Sequence, residues 1–240
     1  MRILVGTSGY SYKEWKGTFY PRELPDSDML RFYSERFQTV EINNTFYRMP
    51  ARKDVARWAE QTPSGFTFVL KASRRITHEK RLSADTADAV AYLFDTAAAL
   101  GPKLGPVLFQ LPPFFKKDAA RLKRFLSLLP EAQPAAFEFR HESWFDDEVY
   151  DALRSRGAAL CAADTDESGE EGAPVVATAR WGYLRLRRSD YGETDLAAWA
   201  DRIRAQPWER AFVFFKHEDE GKGPELAARL QALLPPDAPL

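Results

Sequence analysis

The segment "EFRHESW", residues 138–144, brings together side chains that suit proton transfer and anion binding. Glu138 and Arg140 are two residues apart in a predicted strand, so their side chains share one face of it. His141 and Trp144 fall in the loop that follows. Because histidine titrates near neutral pH, His141 is the first candidate for a general acid or base.

A second polar group lies in "VEINNTFYRMP", residues 40–50. Glu41 and Asn43 share a strand face in an otherwise apolar segment, and Tyr47 follows them. An unpaired buried carboxylate would be protonated or strongly destabilising, so we expect Glu41 to have a cationic partner. Lys71, at the end of the strand that should be adjacent, is the partner that the sequence favours.

The segment "KASRRITHEKRL", residues 71–82, concentrates positive charge. It is either a solvated basic loop or a lid that carries His78 and Arg81 to an anionic ligand. Its cationic or titratable residues are Lys71, Arg74, Arg75, His78, Lys80 and Arg81.

Short β-rich runs that alternate with helical segments must position these side chains. The predicted strands are "ILVGT" (3–7), "TVEIN" (39–43), "FTFVLK" (66–71), "PVLFQL" (106–111), "AAFEFR" (135–140), "AALCAAD" (158–164), "GYLRLR" (182–187) and "AFVFFK" (211–216). The predicted helices cover 27–37, 52–61, 83–100, 117–129, 146–156, 194–206 and 223–234.

Strands in strict alternation with helices run parallel through right-handed crossovers. Eight such units in 240 residues favour a closed (β/α)8 barrel of the TIM type over an open doubly wound sheet, although periodicity does not report closure. With no Gly/Ser linker and no shift in composition, we predict a single domain over residues 1–240. The acidic segment 164–174 is expected to be a solvated loop, and about 235–240 a flexible tail.

Polar residues collect at the C-terminal ends of these strands, which is where barrel active sites form. Five cations (Lys71, Arg140, Arg185, Arg187, Lys216) and three carboxylates (Glu41, Glu138, Asp164) give this mouth a predicted net charge of +2. The candidate catalytic residues are Glu41, Glu138 and His141. The candidate ligand-binding residues are Tyr10, Asn43, Tyr47, Lys71, His78, Arg81, Gln110, Arg140, Trp144, Asp164, Arg185, Lys216 and His217.

Composition limits the chemistry. Cys161 is the single cysteine, which excludes an intramolecular disulfide and a thiolate metal cluster. His141 and His217 with the three carboxylates could supply metal ligands, but the sequence has no HxxxH or HxH spacing and the nearby cations would repel a metal ion. We therefore predict no metal and no cofactor.

The net charge of −1 gives no global attraction for nucleic acid or membrane, so any attraction for an anion is local. No run of about 18 apolar residues exists, and the first residues turn polar too early for a secretory signal. We expect a soluble cytoplasmic protein. The sequence does not specify its oligomeric state.

Several motifs resemble those of the DUF72 family, also called YecE-like or UPF0759, over essentially the whole chain. They are "GTSGYSYKEWKGTFYP" (6–21), "EINNTFYRMP" (41–50), "TPSGFTFVLKASRRITHEKRL" (62–82) after Trp58, "GPVLFQLPPFF" (105–115) and "AAFEFRHESW" (135–144). The resemblance implies a TIM-type barrel and supplies no reaction. Where the family tends to have Arg-x-His-Gly and Phe-Asn-Asn, this chain has "RLRR" (185–188) and "FKH" (215–217), and both changes add cationic groups.

Together these features predict a barrel that binds a small anionic or polyhydroxylated ligand at its C-terminal mouth, and fold analogy favours an enzyme. Glu41 or Glu138 with His141 would transfer protons, and Lys71, Arg140, Arg185 and Lys216 would hold negative charge. The alternatives are a barrel that binds or processes nucleic acid through the basic loop, and a non-catalytic ligand sensor.

Overall fold

A computed structural model describes residues 1–166, 172–217 and 220–234. Residues 167–171 of the predicted acidic loop and the predicted flexible tail, 235–240, lie outside the described residues. None of the described helices is both long enough and apolar enough to cross a membrane.

Eight parallel strands form a nearly closed barrel. They are β1 (Arg2–Thr7), β2 (Thr39–Ile42), β3 (Thr67–Lys71), β4 (Leu104–Gln110), β5 (Ala135–Glu138), β6 (Ala159–Asp164), β7 (Trp181–Leu186) and β8 (Arg210–Phe215). Each strand pairs with the next in the chain from β2 to β8, and β8 pairs with β1. The predicted (β/α)8 architecture is confirmed.

The contact between β1 and β2 closes the ring. Ser8 and Glu41 form a parallel bridge, and the Gly9 N–H donates to the Glu41 carbonyl at 2.8 Å. Gly6 makes this approach possible, because a Cβ there would lie 2.2 Å from the Thr39 carbonyl oxygen.

Eight α-helices surround the barrel. They are α1 (Met29–Ser34), α2 (Asn44–Tyr47), α3 (Arg52–Glu60), α4 (Ala87–Ala97), α5 (Ala119–Leu126), α6 (Asp147–Arg154), α7 (Glu193–Arg204) and α8 (Lys222–Leu233). Strict alternation is not observed: β2 is followed by two helices, and the described residues between β6 and β7 contain none.

Local sequence explains how two of these helices begin. Asp118 precedes α5 and accepts from the Arg121 N–H at 2.9 Å, and Asp146 precedes α6 and accepts from the Val149 N–H at 3.1 Å. A carboxylate at this position satisfies a backbone donor that has no partner within the helix. Helix α5 follows β4 and helix α6 follows β5, so these caps set where the loops after both strands end.

The core has two parts, because alternate residues of each strand face opposite sides. One set packs outward against the helices. The other fills the lower barrel interior with Leu4, Val69, Leu108, Ala136, Ala159, Cys161, Tyr183, Phe212 and Phe214. Cys161 is buried there.

The basic segment after β3 is irregular. Arg75–Glu79 form a single π-helical turn, and Arg81 and Leu82 then adopt positive φ values of 48° and 61°. Both features are uncommon for residues with side chains and occur disproportionately at functional sites.

Candidate functional site

A buried ion-pair network crosses the barrel interior just above its apolar layer. Arg185 of β7 donates through Nη1 to Glu138 Oε2 at 2.7 Å and through Nη2 to Glu41 Oε1 at 2.9 Å. Glu41 and Glu138 are 0% exposed and Arg185 is 1% exposed. Its planar guanidinium therefore holds two carboxylates from strands on other sides of the barrel.

Neutral side chains and a second guanidinium complete this network. The Tyr183 hydroxyl donates to Glu41 Oε2 at 2.5 Å, and Gln110 Nε2 donates to Glu138 Oε1 at 2.8 Å. Arg187 Nη2 lies 3.6 Å from the same Glu138 oxygen. Burial raises the pKa of the Glu138 carboxyl, but Arg185 and Arg187 lower it further, so it lies below its usual range.

Glu41 has a cationic partner, as predicted, but this partner is Arg185 and not Lys71. A guanidinium keeps its charge in a buried site and binds carboxylates with several donors, whereas an ammonium is a point charge that burial tends to neutralise. The same contacts turn the guanidinium of Arg185 toward carboxylates, although the sequence predicted that it would hold an anionic ligand.

Lys71 lies on the inward face at the end of β3, two residues beyond Val69 of the inner layer. Its side chain is half-buried, and Nζ lies 4.4 Å from the centroid of the Phe46 ring. Burial lowers its pKa from 10.5 to about 7; the charges of Arg185 and Lys216 add to this effect, while Glu138 and Glu41 oppose it. Lys71 is therefore partly neutral near pH 7.

The upper rim of the mouth is cationic. Arg140, Arg187 and Lys216 continue the inward-facing rows of β5, β7 and β8. With Lys71 and Arg185 they make five cations against Glu41 and Glu138, an excess of three formal charges on the described inward-facing residues. This exceeds the predicted +2 because Asp164 does not face inward.

Buried polar atoms in the same rows have no hydrogen-bond partner in the described part of the chain. They include the Ser8 hydroxyl at the end of β1 and Asn43 Oδ1 just after β2. A buried polar atom without a partner is destabilising, so such atoms mark places where a bound molecule would supply the missing hydrogen bond.

Asp164 and His217 lie on the helix side of the barrel, although the sequence placed both in the mouth. Asp164 accepts from Trp199 Nε1 at 3.0 Å and lies 3.2 Å from Arg188 Nε. His217 Nε2 donates to the Arg188 carbonyl at 2.5 Å. Each residue continues the set of alternate residues that faces outward from its strand. Because successive side chains of a strand point to opposite faces, the neighbouring position would have faced the mouth.

His141 and Trp144 serve the loop after β5. His141 Nδ1 accepts from the Ser143 N–H at 3.2 Å, which caps the short helical turn that follows. Trp144 is buried, stacks on Phe139 at 4.5 Å between centroids and donates to the Phe115 carbonyl at 2.6 Å. Trp144 therefore packs in the core between barrel and helices. The prediction that it contacts a ligand is wrong.

The other predicted residues occupy the loops around the mouth. His78 packs edge-on against Phe46, with 4.9 Å between centroids, and burial and the charge of Lys71 lower its pKa to about 4. Tyr47 is 73% exposed, Arg81 is exposed, and the half-buried Tyr10 packs against the outer core.

Residues 1–166, 172–217 and 220–234 contain no group of three His, Cys, Asp or Glu side chains that could hold a metal ion. Within these ranges the candidate site therefore consists of fixed charges, one half-buried amine and polar atoms without partners.

The sequence did not single out Phe46 or Tyr183 as site residues. Tyr183 lies two residues before Arg185, so the alternation of strand faces was a signal for its position. No comparable signal exists for Phe46, because the short helix α2 determines its direction. The roles of the predicted site residues stay predictions.

The sequence profile of the family described as "Protein of unknown function DUF72" matches residues 4–239. The UPF0759 protein YunF of Bacillus subtilis (strain 168) is 29% identical over 189 residues, which cover 74% of this chain and 66% of that protein, just under two thirds of its length.

Two solved structures share the fold. A DUF72 family protein from Thermotoga maritima MSB8 has a TM-score of 0.80 at 24% identity, covering 97% of this chain and 99% of that chain. Another from Enterococcus faecalis V583 has a TM-score of 0.79 at 18% identity, covering 97% and 95%. The profile match over nearly the whole chain shows that this protein belongs to the DUF72 family.

Proposed function

We propose that the protein is an enzyme that binds a small anionic ligand at the C-terminal mouth of the barrel and uses Lys71 for proton transfer. The observation that carries this proposal is the position of Lys71, half-buried on Phe46 above a carboxylate pair that Arg185 already binds. An amine with a pKa of about 7 is suited to accept a proton from a substrate near neutral pH.

The inward-facing cations supply the binding part of the proposal. Arg140 and Lys216 lie above the network and Arg187 forms its upper edge, and guanidinium groups match the oxygens of carboxylates and phosphates two at a time. The half-buried Asn43 offers its amide group to a hydroxyl group of the ligand. A small anion with hydroxyl or carbonyl groups therefore fits this set of side chains.

Glu41 and Glu138 have a supporting part in this proposal. Both are enclosed and bound by Arg185, so they have no open side from which to reach a ligand. Their charges hold the guanidinium in place and act on the ionisation of Lys71. Proton transfer is accordingly assigned to Lys71 in place of Glu41, Glu138 and His141.

Thermal unfolding in phosphate and in chloride at matched ionic strength tests the binding site. A ligand at about 100 times its dissociation constant stabilises by roughly 2.7 kcal/mol, which for a chain of this size raises Tm by roughly 5 to 10 °C. We expect this gain in the wild type and a smaller one in Lys71→Met and Lys216→Met. Lys53→Met, at an exposed position on α3, is the control and should respond as the wild type does.

Equal gains in phosphate for the wild type and both mouth variants would refute the proposed site. The comparison among variants also removes the general stabilisation that phosphate gives any protein by exclusion from its surface. Arg185→Ala is unsuitable as a test of the anion site, because it would remove the guanidinium that holds two buried carboxylates.

Nucleic-acid binding is the second candidate, and the exposed rings of Tyr47, at the end of α2, and Phe114, in the loop after β4, support it. Two cations of the basic segment have local partners, since Arg74 pairs with Glu79 at 3.1 Å and Lys80 pairs with Asp85. Oligonucleotide binding with a steep salt dependence would favour this candidate, and no binding near physiological salt would eliminate it.

A further inference from the structure

Lys71 has the surroundings of a nucleophile. Its Nζ lies over the Phe46 ring at 4.4 Å, and the half-buried side chain keeps contact with solvent. In the described part of the chain, the two nearby carboxylates direct their hydrogen bonds to Arg185, Tyr183 and Gln110 and form no ion pair with Lys71. The amine is therefore not held as one half of a salt bridge.

The charged groups around Lys71 come from four other parts of the barrel. Glu41 of β2 and Glu138 of β5 favour the ammonium form, whereas Arg185 of β7 and Lys216 after β8 oppose it. His78, from the turn after β3, has a pKa of about 4 and is neutral near pH 7. Burial exceeds the effect of the carboxylates and brings the pKa of Lys71 to about 7.

We infer that Lys71 forms a Schiff base with the carbonyl group of a small anionic substrate, either a 2-oxo acid or a phosphorylated ketone. This inference rests on the anion-binding part of the proposed function, because the inward-facing cations must hold the carboxylate or phosphate group while the carbonyl carbon reaches Nζ; it gives Lys71 a covalent role in place of proton transfer. A desolvated lysine beside other cations is the arrangement that activates an amine for this reaction.

Schiff-base formation begins with the neutral amine of Lys71. The lone pair of the neutral Lys71 amine forms a bond to the carbonyl carbon, and the C–O π electrons move to oxygen. The nitrogen then gives up one proton and the oxygen takes one, which gives a neutral carbinolamine. A further proton allows the hydroxyl to leave as water, and the nitrogen lone pair forms the C=N bond of an iminium ion. Starting from the ammonium form, lysine and carbonyl compound give iminium and water with no net change in protons.

The carboxylates of the network partly offset the cost that burial and Arg185 impose on the product of this step. The iminium carries the positive charge that the ammonium carried, and Glu41 and Glu138 provide fixed negative charge from the barrel interior. Lys216 and Arg140 lie toward the rim, on the side from which the anionic group of the substrate would enter. Lys71 would therefore bind the carbonyl carbon, while Lys216 and Arg140 would bind the anionic group.

Reductive trapping tests this inference. The wild type is incubated near pH 7 with pyruvate or with dihydroxyacetone phosphate, treated with sodium cyanoborohydride, and analysed by intact mass and peptide mapping. We expect one main adduct per chain, at Lys71, with at least one of the two probes and none at position 71 in Lys71→Arg. Lactate, which has the carboxylate but no carbonyl, should lower the yield from pyruvate and form no adduct.

Two other lysines serve as internal controls. At pH 7 a lysine of pKa about 7 has roughly a thousandfold larger neutral fraction than an ordinary lysine, and its lower intrinsic nucleophilicity offsets only part of this. We therefore expect labelling of Lys71 to exceed that of the exposed Lys53 by at least about tenfold. Burial also lowers the pKa of Lys103, but its Nζ donates to the Ala59 and Thr62 carbonyls at 2.5 Å outside the mouth, so it should stay unlabelled.

The outcomes separate this inference from the proposed function. A Tm gain in phosphate that depends on Lys71 and Lys216, without an adduct at Lys71, would overturn the Schiff base and leave the anion site in place. Labelling spread equally over Lys53 and Lys103 would also overturn it. Selective labelling of Lys71 without a phosphate effect would support the nucleophile and remove the role of the cations, and absence of both would refute both proposals.

Discussion

Replacing Lys71 by methionine should make the protein more stable, and this gain should shrink as the pH rises. The folded state lowers the pKa of Lys71 from 10.5 to about 7, chiefly by burial. The protonated side chain is therefore disfavoured by folding, and its full cost is present below about pH 7. As the pH rises from about 7 to 10.5, the unfolded chain binds more protons than the folded one, so the wild type gains stability that methionine cannot gain.

The size of the effect follows from the two pKa values. Each pKa unit corresponds to about 1.4 kcal/mol, so the charged lysine lowers the free energy of unfolding by about 5 kcal/mol near pH 6 and by about 2 kcal/mol near pH 9. The side chain is half-buried and keeps some contact with water, which reduces both values. We expect the advantage of Lys71→Met to fall by about 1 to 3 kcal/mol between these two pH values.

Urea denaturation of both proteins near pH 6 and near pH 9 measures this difference. Lys53→Met, which removes a lysine from the exposed face of α3, is the matched control and should shift little relative to wild type between the two conditions. An advantage of Lys71→Met that is equal at both pH values would refute the reasoning, because it would mean that folding does not oppose the charge of Lys71.

Three further results are expected. The NMR signals of the His78 ring should titrate with a pKa of about 4 and move to higher pH in Lys71→Met, because burial and then the charge of Lys71 lower this pKa; an unchanged midpoint would contradict the proximity of the two residues. Arg185→Met should lower the free energy of unfolding in urea by about 3 to 5 kcal/mol, since it removes the guanidinium from Glu41 and leaves Glu138 with only the 3.6 Å contact to Arg187 among the described cations; a loss no larger than that of the exposed Arg180→Met would count against the network. Arg81→Gly, at a φ of 48°, should raise Tm through a gain of up to about 1 kcal/mol, and a lowered Tm would show that the side chain makes a stabilising contact.

Periodicity in the sequence was sufficient to locate the eight strands. The eight β-rich runs coincide with the eight observed strands to within a few residues, because parallel strands buried on both faces leave near-continuous apolar runs between helical segments. Closure itself was not visible in this pattern. It depends on contacts such as that of Gly6 with Thr39, whose closeness only the folded chain defines.

Strand geometry also assigned part of the site. Glu41 with Asn43 and Glu138 with Arg140 were expected to share strand faces, and each pair lies in an inward-facing row. The same reasoning did not place Asp164, because "AALCAAD" is small and apolar at every position before it and so does not show which set of alternate residues faces inward.

The amino-acid sequence by itself determined a barrel with charged residues at the C-terminal ends of its strands. Only the tertiary structure decided which of those charges meet. Arg185 binds Glu41 and Glu138, which lie 144 and 47 residues away in the chain, because barrel closure brings strands from opposite sides to the same depth of one interior. The physical reason is that a guanidinium keeps its charge when buried and can bind both carboxylates at once. The amine of Lys71 then packs on the Phe46 ring without an ion-pair partner among the described residues, and burial lowers its pKa.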